Sequence, residues 1–256
     1  MLDGMHMATQ GMMAMSAQQD LITNNLANVG TAGFRKEGIV VSSFTDILNT
    51  EMGSSFTQAG GEISAVSGLQ ATTGLHHKSV TVTAQGGLKE SGNPFDLALD
   101  DNGKGYFTVQ TSRGIEFSRA GTFQLSTSGY LVTRDGSFVL GHKGKVKIDG
   151  SDFKVDDQGM IHVDGKPVDR LLISTFEDPR DLQRSGDTNF TAAQPRVRAT
   201  TDFRVKQGFV EQANVNALHE MVGLMQVMRN YEANQKAIQA HDSKLQKAIS
   251  EIGRVR

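Results

Sequence analysis

The chain has 256 residues, 26 of them Lys or Arg and 28 Asp or Glu, for a net charge of -2 and no cysteine. That balance gives no electrostatic reason to expect nucleic acid or an anionic membrane as partner, and disulfide and thiol chemistry are excluded. No run of about 18 apolar residues occurs, so direct membrane insertion by an apolar helix is not expected.

From Leu2 to about Ala27 the apolar positions are spaced for a helix. Met5, Ala8, Met12, Met15, Gln19, Ile22, Leu26 and Val29 follow the alternating three-and-four step of a coiled-coil seam with one polar break. The first basic residue is Arg35, and the apolar residues are not a continuous block, so the opening stretch reads as structure rather than a cleavable secretion signal. Gly30 and Gly33 supply left-handed positions that end a helix, and Asn28 tolerates one.

Residues 31–89 form a Gly-, Ser- and Thr-rich extended arm, with loop signals at Ser54-Ser55, Gly60-Gly61 and Thr72-Thr73-Gly74 among scattered apolar residues such as Phe44, Ile47, Leu48 and Phe56. So long a loop is expected to become ordered on assembly. Residues 90–211 change character. Short β-branched and aromatic runs (Tyr106–Val109, Gly121–Leu125, Tyr130–Val132, Phe138–Leu140, Val146–Ile148, Met160–Val163, Leu171–Ile173) alternate with the turn dipeptides Asn102-Gly103, Ser128-Gly129, Asp135-Gly136, Asp149-Gly150, Gln158-Gly159 and Asp164-Gly165. This predicts an antiparallel β domain, sandwich or open barrel.

A second long helix begins near Asn214 or Asn216, either of which can cap it. Its seam is Ala217, Met221, Leu224, Met228, Tyr231, Gln235, Ile238, Asp242, Leu245, Ile249 and Ile252. Two narrow apolar stripes at opposite ends of the chain most simply cover each other. The fold class is therefore α+β: a long antiparallel, coiled-coil-like pair from the two termini (1–30 plus 212–256) and a central antiparallel all-β domain.

Chemical motifs are weak. Asp100-Asp101-Asn102-Gly103-Lys104-Gly105 starts like a calcium loop, but Lys104 takes the third ligand position and Thr111 stands where a bidentate Glu is needed, so a turn is the better reading. His76 and His77 are adjacent and face opposite ways in an extended segment, without further zinc ligands nearby. No phosphate-binding loop and no Gly-x-Ser-x-Gly occurs. Neither a cofactor nor a metal nor catalysis is expected. Nine of the 11 methionines lie in the two terminal segments, and Met7, Met13 and Met225 fall off the seams, so the helices carry apolar surface left over for further partners.

These blocks carry a resemblance. Asn24-Asn25-Leu26-Ala27-Asn28-Val29-Gly30-Thr31-Ala32-Gly33-Phe34-Arg35-Lys36 is similar to the N-terminal signature of the bacterial flagellar rod and hook proteins, and Gly208 to Asn216, Glu220-Met221-Val222 and Arg229 to Asn234 resemble their C-terminal signature. Phe117 to Phe123 with Gly129-Tyr130-Leu131-Val132 and Gly136 is similar to the β-domain core of rod members. Ala213 replaces the Ser usual in the C-terminal signature.

The resemblance implies a structural subunit of the basal-body rod, exported through the flagellar type III apparatus and packed with copies of itself and other rod and hook subunits into an axial drive shaft in the periplasm. Phe176-Glu177-Asp178-Pro179 and Leu182 with Gly186 look more like the proximal than the distal rod type. The assembly interface is expected on Met5, Met12, Met15, Ile22, Asn25, Leu26 and Asn28, and on Met221, Leu224, Met228, Tyr231, Ile238, Leu245 and Ile249. A distal rod or hook-like subunit is the alternative within the family. An adhesin using the β domain for recognition, and an enzyme, are the alternatives outside it.

Overall fold

The computed structural model describes residues 2–43, 75–176, 182–192, 198–199 and 203–253. The loop signals between Ser54 and Gly74, the apolar residues Phe44 to Phe56, and Glu177-Asp178-Pro179 lie outside them. In chain order the elements are α1 (Leu2–Ala27), β1 (Glu37–Ser43), β2 (Leu75–Thr81), β3 (Leu88–Glu90), β4 (Leu97–Asp100), β5 (Gly105–Thr111), β6 (Gly114–Ser118), β7 (Phe123–Leu125), β8 (Leu131–Thr133), β9 (Phe138–Gly141) and β10 (Gly144–Lys145). Then come β11 (Phe153–Val155), β12 (Met160–Val163), β13 (Lys166–Arg170), β14 (Ile173–Thr175), β15 (Leu182–Arg184), β16 (Asn189–Ala192), β17 (Arg198–Ala199), β18 (Arg204–Gln207), β19 (Phe209–Glu211) and α2 (Ala217–Gly253).

The chain divides into two compact units. One holds α1 as far as Asn24, the β1–β2 pair and α2 from Leu218; the other holds residues 25–36 and 81–217. The extended arm read over 31–89 is thus shared between them.

In the first unit the two helices are antiparallel neighbours. Gly11 faces the Asn234 side chain, and Ile22, three turns along α1, faces Gly223 at the matching distance back along α2. At both points a glycine stands opposite a larger residue: a Cβ on Gly11 would lie 3.2 Å from Asn234 Nδ2, and one on Gly223 would lie 3.6 Å from Ile22 Cδ1. Both contacts are with side chains rather than backbone, and a Cβ on Gly223 would stand at ordinary van der Waals distance.

The second unit is built around β5, whose residues from Gly105 to Val109 are all buried. β5 pairs with β6, β9 and β14, within a sheet ordered β15-β16-β6-β5-β9-β8-β7. Alternation along β5 sends Phe107 and Val109 to one face, into a core with Leu97, Leu99, Phe123, Leu131, Val139, Ile161, Leu171 and Val205. Tyr106 points to the other, into a smaller cluster with Phe117, Leu182 and Phe190. Aromatic rings meet edge to face on both sides, Phe107 with Phe123 at 5.1 Å and Tyr106 with Phe190 at 5.6 Å. This is the antiparallel β domain expected from the turn spacing.

The turn chemistry explains the short strands. Asn102-Gly103 and Asp164-Gly165 take positive φ at both residues, and Gly129, Gly136 and Gly159 at one. Asp149-Gly150 differs: Gly150 has no positive φ, and is small because a Cβ there would overlap the side chains of Asp164 and Val163. Val146 and Ile148 are buried as expected, but only a single bridge from Lys147 to Tyr130 replaces the anticipated strand.

Candidate assembly interface and the junction of the two chain ends

Helix α2 shows two faces, one covered and one open. Glu220, Gly223, Leu224, Val227, Asn234 and Ile238 are buried or half-buried, with Val227 at 3% exposure, and they recur at the three-and-four step of one face. One residue further round, Leu218, Met221, Val222, Met225, Met228 and Tyr231 are between 39% and 73% exposed in the single chain. The stripe read from sequence as covering α1 is therefore divided: Leu224 and Ile238 turn partly inward, whereas Met221, Met228, Tyr231 and Ile249 face solvent. Successive residues on a helix are about 100° apart, so a stripe one position off points elsewhere. The sequence reading missed Val227 because the methionine stripe beside it is longer and more apolar; the clue was Gly223, a small residue one turn before it.

On α1, Ile22 and Asn25 are buried, Ala14 joins them, and Met12, Met15 and Leu26 are half-buried, as is Asn28 in the turn that follows. Met5 and Leu245 lie in the two helices, their side chains outside the described residues. Of the candidate caps, Asn216 immediately precedes the first helical residue. Asn214 is engaged elsewhere, its Oδ1 accepting from Lys36 N at 2.6 Å and its Nδ2 donating to the carbonyls of Val82 at 2.9 Å and Ala84 at 2.8 Å.

Asn214 belongs to a junction in which three remote segments, 33–36, 82–87 and 211–214, lie together in the β unit. The returning chain runs antiparallel to β4 through β18, then to β3 through β19, with Gly208 at φ +77° between the two pairings. Gly33 N donates to Glu211 O at 2.8 Å, Asn214 N to Phe34 O at 3.4 Å and Gln212 N to Gly87 O at 2.8 Å. Gly33 is left-handed and packed on the backbone of Arg119 and Ala120, where a Cβ would overlap; one on Gly86 would overlap the Gln212 carbonyl.

At its centre lies a buried cluster of four charges. Arg35 NH1 is 2.9 Å from Glu211 Oε1 and donates also to Ala84 O; Arg119 NH2 is 2.6 Å from Asp101 Oδ1, and its Nε is 3.8 Å from Glu211 Oε2. All four side chains are at most 2% exposed. Two cations and two anions balance, as groups removed from water require. Burial pulls the Arg35 guanidinium below its ordinary value, with Glu211 opposing and Arg119 adding repulsion. Burial also pushes the Tyr106 hydroxyl above its ordinary 10.0, against the pull of Arg35 and Arg119. Arg184 lies over the Phe34 ring at 4.7 Å and donates to the carbonyl of Arg35. The sequence reading did not connect these charges: Arg35 stands beside Lys36 and Glu37, and Asp101 beside Asp100, so no local pattern marks them as buried.

Asp101, the residue that made its loop look like a calcium site, spends its carboxylate on Arg119 and on the amides of Gly103 and Gly105. Among the described residues no three His, Asp or Glu side chains form a metal cluster. An open cleft of about 680 Å³ is lined by Thr111, Arg113, Asp135, Phe138, Lys145 and Asn189. Its Arg113 is paired with Glu116, and its Lys145 Nζ lies 4.0 Å over the Phe138 ring.

Three family models match the chain in order: Flagella basal body rod protein over residues 5–35, Flagellar hook protein FlgE/F/G D1 domain over 102–163, and Flagellar basal body rod FlgEFG protein C-terminal over 206–251. The charge cluster takes Arg35, Arg119 and Glu211 from these three segments, one from each. The chain is 30% identical to the flagellar basal-body rod protein FlgG of Buchnera aphidicola subsp. Schizaphis graminum, covering 96% of this chain and 98% of the relative. It is 28% identical to the flagellar basal-body rod protein FlgF of Mesorhizobium japonicum, over 99% of both, and 27% identical to the flagellar hook-basal body complex protein FlhO of Bacillus subtilis, over the full length of both.

Proposed function

The chain belongs to the flagellar basal-body rod protein family and is a structural subunit of the rod; from that premise we propose that it polymerises through the exposed face of α2. The observation carrying this is the stripe Leu218, Met221, Val222, Met225, Met228 and Tyr231, apolar and open to solvent in the single chain. An apolar stripe of this kind, with polar residues beside it, marks an interaction surface. Methionine, unbranched and polarizable, suits one that must repack against non-identical neighbours. The partners proposed are copies of this chain and other rod and hook subunits, delivered through the flagellar export apparatus.

The 37 residues of α2 extend about 55 Å at the standard rise, with their hydrogen bonds along the axis, a stiff element for transmitting torque. Subunits related by a screw operation make heterologous contacts that do not close, so they build a tube with a central channel. The run from Leu172 to Phe190 supports a proximal, FlgF-type position; relatives named FlgF and FlgG match at similar identity. Concentrated purified protein should form short tubes by negative-stain microscopy. Met225→Asp should abolish them while Asp242→Asn, on an exposed polar position, should not. Tubes that persist in Met225→Asp would remove the α2 face from the assembly.

A further inference from the structure

The four buried charges join segments far apart in sequence; Lys36 and Asn214, beside them, are 178 residues apart. We propose that Arg35, Glu211, Arg119 and Asp101 form an interlock, so that the segment around Arg35 and the segment around Glu211 dock on the β unit together or not at all. The proposal concerns one subunit and holds whether or not the chain polymerises.

Charge balance makes the two ends depend on each other. Asp101 and Arg119 both belong to the β sheet region and pair at 2.6 Å. Glu211 is the acid placed between Arg119 and Arg35. If the N-terminal segment docks alone, Arg35 is buried near Arg119 with no acid between them, and the site carries an excess positive charge. If the C-terminal segment docks alone, Glu211 keeps only Arg119, at 3.8 Å and already engaged with Asp101, and the excess is negative. A single uncompensated charge at such a depth is strongly destabilising, whereas the complete set is neutral.

The backbone repeats the dependence. The Gly33 amide has its acceptor on Glu211, the Lys36 amide on Asn214, and the Asn214 amide on Phe34. The middle segment is served from both sides: Ala84 O accepts from Arg35 and from Asn214, and Gly86 N donates to Glu211 Oε1 at 3.0 Å. Each end supplies groups that the other would otherwise leave buried and unmatched. The result is a two-state element with both ends closed or both open.

The test is amide hydrogen exchange on the full-length protein, read at Gly33 and Lys36 for one end, at Gln212 for the other and along β5 for the sheet. Glu211→Gln keeps shape and the acceptor for Gly86 but removes the charge. It should speed exchange by ~10-fold or more at both ends together and leave β5 unchanged. Adding Arg35→Met leaves only the neutral Arg119–Asp101 pair, so Arg35→Met with Glu211→Gln should restore both ends to within about 3-fold of the parent. Faster exchange at Gln212 with Gly33 and Lys36 unaffected overturns the interlock. So does a double variant that exchanges as fast as the two single effects combined. Should Glu211→Gln fail to fold, Arg35→Lys, which keeps the charge and loses the fork, is read the same way: acceleration at both ends supports the proposal and at one end refutes it.

Discussion

Two substitutions two residues apart on α2, Val227→Asp and Met225→Asp, should separate folding of the subunit from its assembly. Val227 is 3% exposed and Met225 is 52% exposed. Taking a valine down to the size of alanine forfeits about 1.6 kcal/mol of burial at ~0.8 kcal/mol per methylene. A carboxyl there without a partner adds at least the cost of an unmatched neutral polar group, about 1–3 kcal/mol, so Val227→Asp should cost at least about 3–5 kcal/mol. That is a large part of a stability of about 5–15 kcal/mol. Met225 already stands half in water, and the change there should cost under about 1.5 kcal/mol, including ~0.5 kcal/mol of helix propensity. The assay is urea unfolding followed by the far-ultraviolet helical signal, which α1 and α2 dominate, with motility and isolated basal bodies scored in parallel. Val227→Asp should lose its helical signal at distinctly lower urea than the parent. Met225→Asp should unfold nearly as the parent does yet leave cells non-motile with rods missing or truncated. Equal loss of helical stability in the two variants would show that the faces have been misassigned, and normal rods in Met225→Asp would show that the exposed face takes no part in assembly.

The junction and the core give further tests. Asn214→Ala removes an acceptor for Lys36 and donors to two carbonyls, and at about 1 kcal/mol each should cost ~2–3 kcal/mol and expose the 33–36 and 82–84 segments to protease. Tyr106→Phe should be neutral or stabilising by up to about 1 kcal/mol, because the hydroxyl is buried and makes no hydrogen bond among the described residues. The raised Tyr106 value fixes a sign as well. Above the ordinary 10.0 the unfolded chain releases a proton that the folded chain keeps, so stability should begin to fall near pH 10 and the loss should be complete once the pH has climbed through the raised value. Phenolate absorbance should show one tyrosine ionising late, a step that Tyr106→Phe abolishes.

The sequence alone determined the elements and their kind. Helix α1 from Leu2 to Ala27 follows from apolar spacing and from the glycines after it, and the β domain follows from Gly-bearing turn dipeptides, because both signals are local. The signature blocks were legible for the same reason. Only the tertiary structure decided which face of α2 turns inward. A helix with two adjacent stripes does not say which one the chain covers itself; in the fold Ile22 faces Gly223, Asn234 faces Gly11, and Val227 between them is buried. It also decided between the two asparagines before α2, since Asn214 is drawn to Lys36, Val82 and Ala84 by residues far away in sequence. The cluster of Arg35, Asp101, Arg119 and Glu211 was beyond a linear reading. A charge in sequence is presumed to face water, and only when three distant segments close over it does its neutrality depend on partners that no local pattern names.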